Sequence, residues 1–321
     1  MLGGTAWLGH TVAEEALQRG HEVTCLARGS AAPPDGAAFV TADRDQDDGL
    51  AGVAGREWDA VLDVTRHPGQ ARRAVRDLRA PHRVFVSSGN AYAGFATLEQ
   101  DEDSPLREPL EADLMADMGV YGEAKVSCES AVRDAEGSAT IVRSGLIGGP
   151  GDWSGRTGYW PWRFAHPIGE RVVVPDDLDF PCAIIDVRDL AKWLVTAAEQ
   201  RLEGTFNATG PTTTLGEVLA TSAAVAGSTA TLLPVSRQRL AELGIASWMG
   251  PASLPLWIDD PEWRGFATMT TARARAAGLH TRPLADTLRD ALAFEEARTT
   301  SRAAGLSDED ERRVQVAALD G

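Results

Sequence analysis

Tyr121 and Lys125 lie four residues apart in a chain that holds three tyrosines and two lysines among 321 residues. Chance would place a Tyr-x-x-x-Lys about 3 × 2/321 times, roughly 0.02 expected occurrences. On a helix, positions i and i+4 share one face, so the ammonium would lie beside the phenol and favour its ionised form. A tyrosine that acts as an acid or a base near neutral pH needs this help. The pair therefore predicts proton exchange with a substrate oxygen.

Ser88 ends an apolar run that begins at Arg83, where a strand of a sheet would finish. A hydroxyl at that point is placed to hydrogen-bond a substrate oxygen beside Tyr121. A Ser-Ser pair at a strand end is more often a capped turn. Its pairing with the tyrosine motif favours a catalytic role.

A glycine-rich turn opens the chain, with the sequence GGTAWLG ahead of a predicted helix from Thr11 to Arg19. Backbone amides and the helix dipole at such a turn bind the pyrophosphate of a dinucleotide. An ordinary glycine turn is the alternative. The predicted cofactor contacts are Gly3, Thr5, Ala6, Trp7, Leu8 and Gly9. Because only two residues precede Gly3, we also expect the natural start to lie upstream, with about five more apolar residues in the first strand.

The type of dinucleotide is predicted from the strand that ends near Arg28. NAD-binding proteins usually place an acidic residue there, whereas an arginine suits the 2′-phosphate of NADP. The sequence therefore favours NADP over NAD, although Arg28 could equally be a solvated surface residue. Asp43, after the next strand, is placed to meet the adenine or to cap a turn.

The elements that must position these residues alternate along the first half of the chain. Short β-branched runs at 21–27, 38–41, 60–64 and 83–86 are separated by helical segments. Strands separated by helix-length segments predict a parallel sheet with right-handed crossovers, a Rossmann-type doubly wound α/β fold.

Composition excludes several classes of protein. A formal charge of -16 argues against a nucleic-acid groove or an anionic membrane surface. The sequence has no apolar stretch of spanning length, and its three widely spaced cysteines fit a reducing cytoplasm. No histidine stands in a metal-ligand spacing, so we predict no metal site. The acidic run from Asp101 to Asp103 is typical of a solvated loop, and Asp186 and Asp189 are expected to cap a helix.

Five motifs together resemble the extended or atypical short-chain dehydrogenase/reductases, the group related to NAD-dependent epimerases and dehydratases. They are GGTAWLG, SSGNAY, YGEAK, RSGLIGGPGD and IIDVRDLA, and the resemblance spans about residues 1 to 295. It implies a catalytic Ser88, Tyr121 and Lys125, with Lys125 also holding the nicotinamide ribose. It further implies hydride transfer at the nicotinamide and, for many members, a homodimer.

Two departures from the family pattern narrow the activity. No carboxylate follows Ser88, which disfavours dehydration, and Leu146 stands where nucleotide-sugar enzymes carry an asparagine. We therefore predict an NAD(P)-dependent oxidoreductase acting on a small carbonyl compound or secondary alcohol. The alternatives are an epimerase that acts through a transient ketone on a sugar or nucleotide-sugar, and a non-catalytic dinucleotide sensor.

The predicted domain organisation is discontinuous. Residues 1–145 and 180–208 form the dinucleotide-binding domain, and residues 146–179 and 209–297 form a smaller substrate-binding domain. Residues 298–321 are expected to be a surface tail, because they are polar and charged.

Overall fold

The fold is described from a computed structural model, in which residues 1–319 are described. The strands are β1 Thr24–Ala27, β2 Ala38–Thr41, β3 Val61–Asp63, β4 His82–Ser88, β5 Ser138–Ser144, β6 Leu146–Gly148, β7 Arg171–Pro175, β8 Pro181–Cys182, β9 Ile184–Asp186, β10 Gly204–Ala208, β11 Thr213–Thr214, β12 Thr231–Val235, β13 Ala246–Ser247, β14 Gly250–Pro251, β15 Ser253–Leu254 and β16 Ala304–Gly305. The helices are α1 Trp7–Gln18, α2 Ala51–Ala54, α3 Pro68–Asp77, α4 Tyr121–Arg133, α5 Tyr159–Ala165, α6 Val187–Gln200, α7 Leu215–Ala226, α8 Arg237–Glu242, α9 Ala272–Ala276, α10 Leu284–Glu296 and α11 Asp308–Leu319.

A parallel sheet forms the centre of the first half of the chain. Strands β10, β5, β4 and β3 are hydrogen-bonded in that order, and β1 pairs with β2. Leu2 joins the two groups, because it bridges Leu26 of β1 on one side and Asp63 of β3 on the other. The order therefore reverses at Leu2, which is where a doubly wound sheet opens its binding crevice.

The pleat of β4 and β5 sends alternate side chains to opposite faces of this sheet. Val84 and Val142 pack in one buried cluster with Leu190 and Leu194 of α6. Phe85 and Ile141 pack in another with residues of α3 and α4. Helices thus cover both faces, which confirms the predicted doubly wound α/β fold.

Helix α1 begins four residues earlier than its apolar pattern predicts, at Trp7 rather than Thr11. Its end agrees with the prediction, because Gly20 has a φ of +87°, the left-handed conformation that favours glycine after a helix. The early start brings the first turn of α1 directly onto the glycine-rich segment.

A second hydrophobic core lies outside the sheet. It contains Trp160 and Phe164 of α5, the β7 valines, and buried residues of α7, α10 and the segment 254–257. Ala274 and Leu279 pack in the sheet core instead, although the predicted substrate domain includes them. The domain boundaries themselves stay a prediction.

The prediction of a surface tail at residues 298–321 is wrong for its described part. Leu306 and Val314 are buried in the second core, and Glu311 of α11 accepts a hydrogen bond from the Val173 amide. Arg163 contacts both Asp308 and Glu311. The sequence of this segment is mostly polar because α11 buries only one narrow face, while its other faces are charged and solvated. Residues 320 and 321 lie outside the described residues.

Candidate active site

The glycine-rich turn directly follows Leu2, the residue that bridges β1 and β3, and it leads into α1. Gly3 has a φ of +84°, and a Cβ on Gly9 would stand 2.1 Å from the Gly3 carbonyl oxygen. Glycine is therefore required at both ends of the turn. No side chain of the described residues caps α1, whose N-cap is Ala6. The uncapped amides of the first turn are free to meet an anion such as a pyrophosphate.

Trp7 connects this turn to the loop between β6 and α5. Its Nε1 donates a hydrogen bond to the Pro150 carbonyl at 2.8 Å. A Cβ on Gly151 would stand 2.6 Å from the same nitrogen, so the indole packs directly against that residue. The predicted role of Trp7 as a cofactor contact thus rests on its backbone amide.

The two residues predicted at the adenosine end are both exposed. Arg28 directly follows β1, and no carboxylate of the described residues lies within ion-pair distance of it. Asp43 Oδ1 accepts a hydrogen bond from the Asp45 amide at 3.0 Å. That contact is the turn cap which the sequence left as an alternative for Asp43.

Lys125 is buried beneath the start of α4. Only 3 % of the residue is exposed, and its Nζ donates hydrogen bonds to the carbonyls of Thr65 at 2.6 Å and Val86 at 2.7 Å. The ammonium lies 4.8 Å from the ring centroid of Phe85 and 5.9 Å from that of Tyr121. Two carbonyls at the ends of β3 and β4 therefore fix the ammonium beside the tyrosine, on the side of α4 that faces the sheet.

Ser88 ends β4 and caps the short 3-10 turn Gly89–Ala91. Its Oγ accepts hydrogen bonds from the backbone amide and the side-chain amide of Asn90, both at 3.2 Å. A serine hydroxyl has two acceptor positions and one proton to donate. Because Asn90 fills both acceptor positions, the proton is left for another oxygen.

The Ser88 turn lies against the beginning of α4. A Cβ on Gly122 would stand 2.1 Å from the Asn90 carbonyl oxygen, so the two backbones touch there. The structure therefore brings Ser88, Tyr121 and Lys125 together at one edge of the sheet. Arg28 and Asp43 lie apart from them, beyond β1 and β2.

Two residues near this edge, Arg156 and Thr209, were missed by the sequence reasoning. Arg156 lies in the loop after β6, and its guanidinium is 4.8 Å from the ring centroid of Trp248. The buried Thr209 hydroxyl has no hydrogen-bond partner among the described residues, and it lies 2.5 Å from where a Cβ on Gly145 would stand. Only the glycine-rich character of segment 145–158 was a signal in the sequence.

An apolar pocket opens beside Gly145, at the end of β5. Its volume is about 10 Å³, room for about one water molecule. The side chains that line it are mostly aromatic or aliphatic: Leu146, Phe180, Ile184, Trp248, Leu256, Ile258 and Phe266. The lining is apolar, and a ligand group would fit only after these side chains move apart.

A buried ion pair links β5 to α4, the helix that carries Tyr121. Arg143 of β5 makes two hydrogen bonds to Glu129 of α4, and Ser87 donates a third. Burial opposes ionisation of Glu129 most strongly, but the hydrogen bonds and charge of Arg143 outweigh it and keep the pKa of this carboxyl below its ordinary value. The pair ties the tyrosine helix to the strand beside Ser88.

The acidic run corrects one expectation. Asp101 and Asp103 are exposed as predicted, but Glu102 is buried and accepts a hydrogen bond from the Asn207 amide at 2.8 Å. The sequence alone does not show that Glu102 is buried, because it stands between two exposed aspartates and the three residues together resemble a solvated charge run. Asp186 caps α6 as expected, whereas Asp189 lies in the first turn of α6 and bonds Arg282.

Two further observations concern metals and membranes. Across residues 1–319, no group of three or more His, Cys, Asp and Glu side chains is placed to hold a metal ion. Within the same range, no helix has both the length and the apolar character needed to cross a membrane.

The fold was compared with known proteins. Neither a protein-family model nor a curated protein sequence matches the chain. Solved structures do: UDP-N-acetylglucosamine 4-epimerase from Bacillus cereus has a TM-score of 0.67 at 17% identity, over 94% of this chain and 96% of that one. UDP-glucose 4-epimerase from Thermotoga maritima, determined with UDP-glucose, has 0.66 at 16%, over 92% and 97%. WbmH from Bordetella bronchiseptica, determined with NAD+, has 0.67 at 15%, over 93% and 98%.

The chain has the epimerase fold. This result confirms the resemblance to extended short-chain dehydrogenase/reductases at the level of fold, because the likeness spans nearly the whole of each chain. A doubly wound sheet opens its crevice at the carboxyl ends of the strands. In this chain Gly3, Ser88 and Tyr121 all lie at that edge.

Proposed function

We propose that the chain is an NAD(P)-dependent enzyme that moves a hydride between the nicotinamide and a substrate carbon bearing an oxygen. The observation that carries this proposal is the anchored Lys125 ammonium beside Tyr121, next to a Ser88 hydroxyl with its proton free to donate. The dinucleotide would lie across the Gly3 turn and supply the hydride chemistry when bound.

Each residue of the triad has a separate task. Tyr121 exchanges a proton with the substrate oxygen, Ser88 donates a hydrogen bond to that oxygen, and Lys125 places its positive charge beside the phenol ring. The same ammonium is expected to reach the ribose of the nicotinamide. Its two carbonyl partners hold it in place before any ligand binds, so little reorganisation is needed.

The net reaction that we propose first is epimerisation through a transient ketone. The structural neighbours include UDP-sugar 4-epimerases, and two neighbours were determined with NAD. In such a reaction the hydride leaves the substrate carbon and returns to its other face, so the cofactor is not consumed. A sugar or nucleotide-sugar is the corresponding substrate class.

Net oxidation or reduction of a small carbonyl compound or secondary alcohol is the second candidate. It is favoured by Leu146, which offers no hydrogen bond to a sugar hydroxyl, and by the apolar lining of the adjacent pocket. Both candidates use the same three residues. They differ in whether reduced cofactor accumulates or disappears during turnover.

Several finer points stay predictions with this proposal. Arg28 favours NADP over NAD, and a homodimer and a cytoplasmic location are expected from the resemblance and the cysteines. The domain division at 1–145 with 180–208, and 146–179 with 209–297, belongs with them. Light scattering in solution would test the dimer.

The triad is tested by replacing one phenol. Purified protein is incubated with each dinucleotide and a panel of nucleotide-sugars, hydroxy compounds and ketones, and products are followed by NMR alongside nicotinamide absorbance. Tyr121→Phe should lower turnover by roughly 10²- to 10⁴-fold. Tyr159→Phe is the matched control, because Tyr159 is buried in the second core and should leave turnover unchanged.

The products and the nicotinamide absorbance together distinguish the candidate functions. A product without change in absorbance supports epimerisation, whereas a stoichiometric change supports net oxidoreduction. Full turnover in Tyr121→Phe would defeat the catalytic assignment. Tight dinucleotide binding with no turnover of any compound would favour the non-catalytic sensor.

A further inference from the structure

Arg156 differs from the other arginines that are shielded from solvent. Among residues 1–319, every other arginine that is not exposed contacts a carboxylate or a backbone carbonyl; Arg83, for example, donates to three carbonyls. Arg156 makes one side-chain hydrogen bond, from Nε to Ser154 Oγ at 3.1 Å. Its two terminal nitrogens have no partner among the described residues.

Two neighbours hold the Arg156 guanidinium in one orientation. Trp248 lies 4.8 Å away, measured from its ring centroid to Cζ, and covers one face. Ser154 fixes the Nε edge and is itself held by Asp152 through a 2.6 Å hydrogen bond. Trp248 has a φ of +67°, a strained conformation that clusters at ligand sites. The edge that carries the two terminal nitrogens is therefore left free in a fixed direction.

Geometry places Arg156 near the catalytic edge: its neighbour Trp248 lines the pocket at Gly145, and the preceding Ser144 pairs with Ser88 of β4. Burial lowers the pKa of its guanidinium most strongly, while Asp152 and Tyr121 act in the opposite direction. An arginine stays charged at neutral pH even so. A cation that is half removed from water and unpaired is unfavourable unless a ligand supplies the missing charge.

We propose that Arg156 binds a carboxylate group of the substrate, so that the substrate is an acidic sugar or a hydroxy or keto acid. This inference rests on the proposed function, because it places the carboxylate beside the carbon whose oxygen meets Tyr121. Trp248 would serve both groups, since it stacks on Arg156 and also lines the apolar pocket. Arg156 thus determines specificity rather than taking part in proton transfer.

A carboxylate fits this position better than a phosphate. A guanidinium edge matches the two oxygens of a planar carboxylate in a bidentate contact. The charged side chain near Arg156 is Asp152, which holds Ser154. A carboxylate adds one negative charge beside this aspartate, whereas a phosphate dianion adds two and would need a further donor or cation.

Matched acidic and neutral probes test the proposal. Calorimetry measures the binding of D-glucuronate against D-glucuronamide, UDP-glucuronate against UDP-glucose, and 3-hydroxybutyrate against its amide, with oxidised dinucleotide present. D-glucose 6-phosphate serves as the phosphate arm. The variants are Arg156→Gln, Arg156→Lys and the control Arg171→Gln, whose arginine is exposed on β7. Circular dichroism verifies that each variant is folded.

The expected result is that at least one acid binds tenfold or more tightly than its neutral twin, as a charge-assisted contact should provide. That preference should disappear in Arg156→Gln, fall partly in Arg156→Lys and persist in Arg171→Gln. The proposal is overturned if neutral twins bind as tightly, if the preference survives in Arg156→Gln, if only the phosphate depends on Arg156, or if no acid binds.

The same experiment keeps this inference apart from the proposed function. Acids that bind through Arg156 but undergo no hydride transfer would defeat the proposed function and leave the carboxylate site standing. Turnover of neutral compounds by a protein that shows no preference for their acidic twins would keep the proposed function and overturn the carboxylate site.

Discussion

Asn90 gives the Ser88 hydroxyl its direction. By filling both acceptor positions of Oγ, it leaves the proton as the one group that Ser88 can offer a substrate. A strand-end serine was predicted to act here, but its partner was not. The two amides of Asn90 reach Oγ only because the chain turns sharply at Gly89–Ala91.

Ser88→Ala should lower kcat by roughly 10²-fold, because one hydrogen bond to the developing oxyanion is lost. The Kd for the dinucleotide should not change, since Ser88 is expected to meet the substrate. Steady-state rates and a cofactor titration measure both. Ser130→Ala, on the far half of α4, is the control. An unchanged kcat in Ser88→Ala would remove the serine from the proposed triad.

Arg28→Ala should raise the Kd for NADPH about tenfold, because a charge-assisted contact to the 2′-phosphate is lost. Binding of NADH should stay the same, as it has no such phosphate. Fluorescence titration with both reduced dinucleotides is the measurement, and Arg312→Ala, another exposed arginine, is the control. Equal weakening of both dinucleotides would show that Arg28 does not select between them.

Local sequence could predict some site residues and not others. Tyr121 and Lys125 lie within one turn of one helix, so their spacing alone indicated the pair. Arg156 and Trp248 come from loops about ninety residues apart and make contact in the fold. Neither loop contains a sequence pattern that predicts this contact. Contacts made only by tertiary packing leave no periodic signal in one sequence.

At the scale of elements, Asp186 connects the end of β9 to α6 and α10. It caps α6 through the Arg188 amide, pairs with the Arg188 guanidinium at 2.8 Å, and accepts a hydrogen bond from Thr287 of α10. The cap was predicted from the sequence. The bond to α10 could not be, because it spans 101 residues.

Asp186→Asn should destabilise the protein by about 2–3 kcal/mol at pH 7, through loss of the charged contacts with Arg188. Burial opposes ionisation of Asp186 most, yet the bonds from Arg188 lower its pKa below the ordinary value of 3.8. A lowered folded pKa gives stability that is present above 3.8 and is lost as the pH falls through the folded value. Urea unfolding should therefore show the difference between wild type and variant shrinking below pH 3.8. A difference independent of pH would contradict the role of the charge.

The sheet was the most predictable element, since β-branched runs separated by helical patterns favour one architecture. The start of α1 was the least predictable, because the glycines and Trp7 break the apolar pattern. Trp7 is helical for a tertiary reason: its indole packs on Gly151. Element boundaries near a binding turn are set by such contacts rather than by propensity.

At the scale of the whole molecule, the last helix closes the second core. The sequence suggested a frayed end, because 298–319 is rich in charge. The few apolar residues there, with Glu311, reach positions prepared by α5 and β7, more than a hundred residues earlier. A charged helix with one narrow buried face is difficult to recognise without its partner surface.

Leu306→Ala should lower the free energy of unfolding by about 2–5 kcal/mol, since the side chain is 2 % exposed and its removal leaves a cavity. Val316→Ala, at an exposed position of the same segment, should change it by less than about 0.5 kcal/mol. Urea denaturation measures both. If both substitutions changed the free energy of unfolding by equally small amounts, the segment would be a surface tail after all.

The chain's negative charge leaves dinucleotide binding to local features, chiefly the α1 amides and the buried ammonium. The most direct measurement is calorimetric titration of the wild type with each of the four oxidised and reduced dinucleotides. We expect saturable one-to-one binding of at least one, weakened about tenfold in Lys125→Met and unchanged in Lys192→Met. Lys192 is the other lysine of the chain and is exposed. Absence of saturable binding, or equal binding by the two variants, would contradict the account.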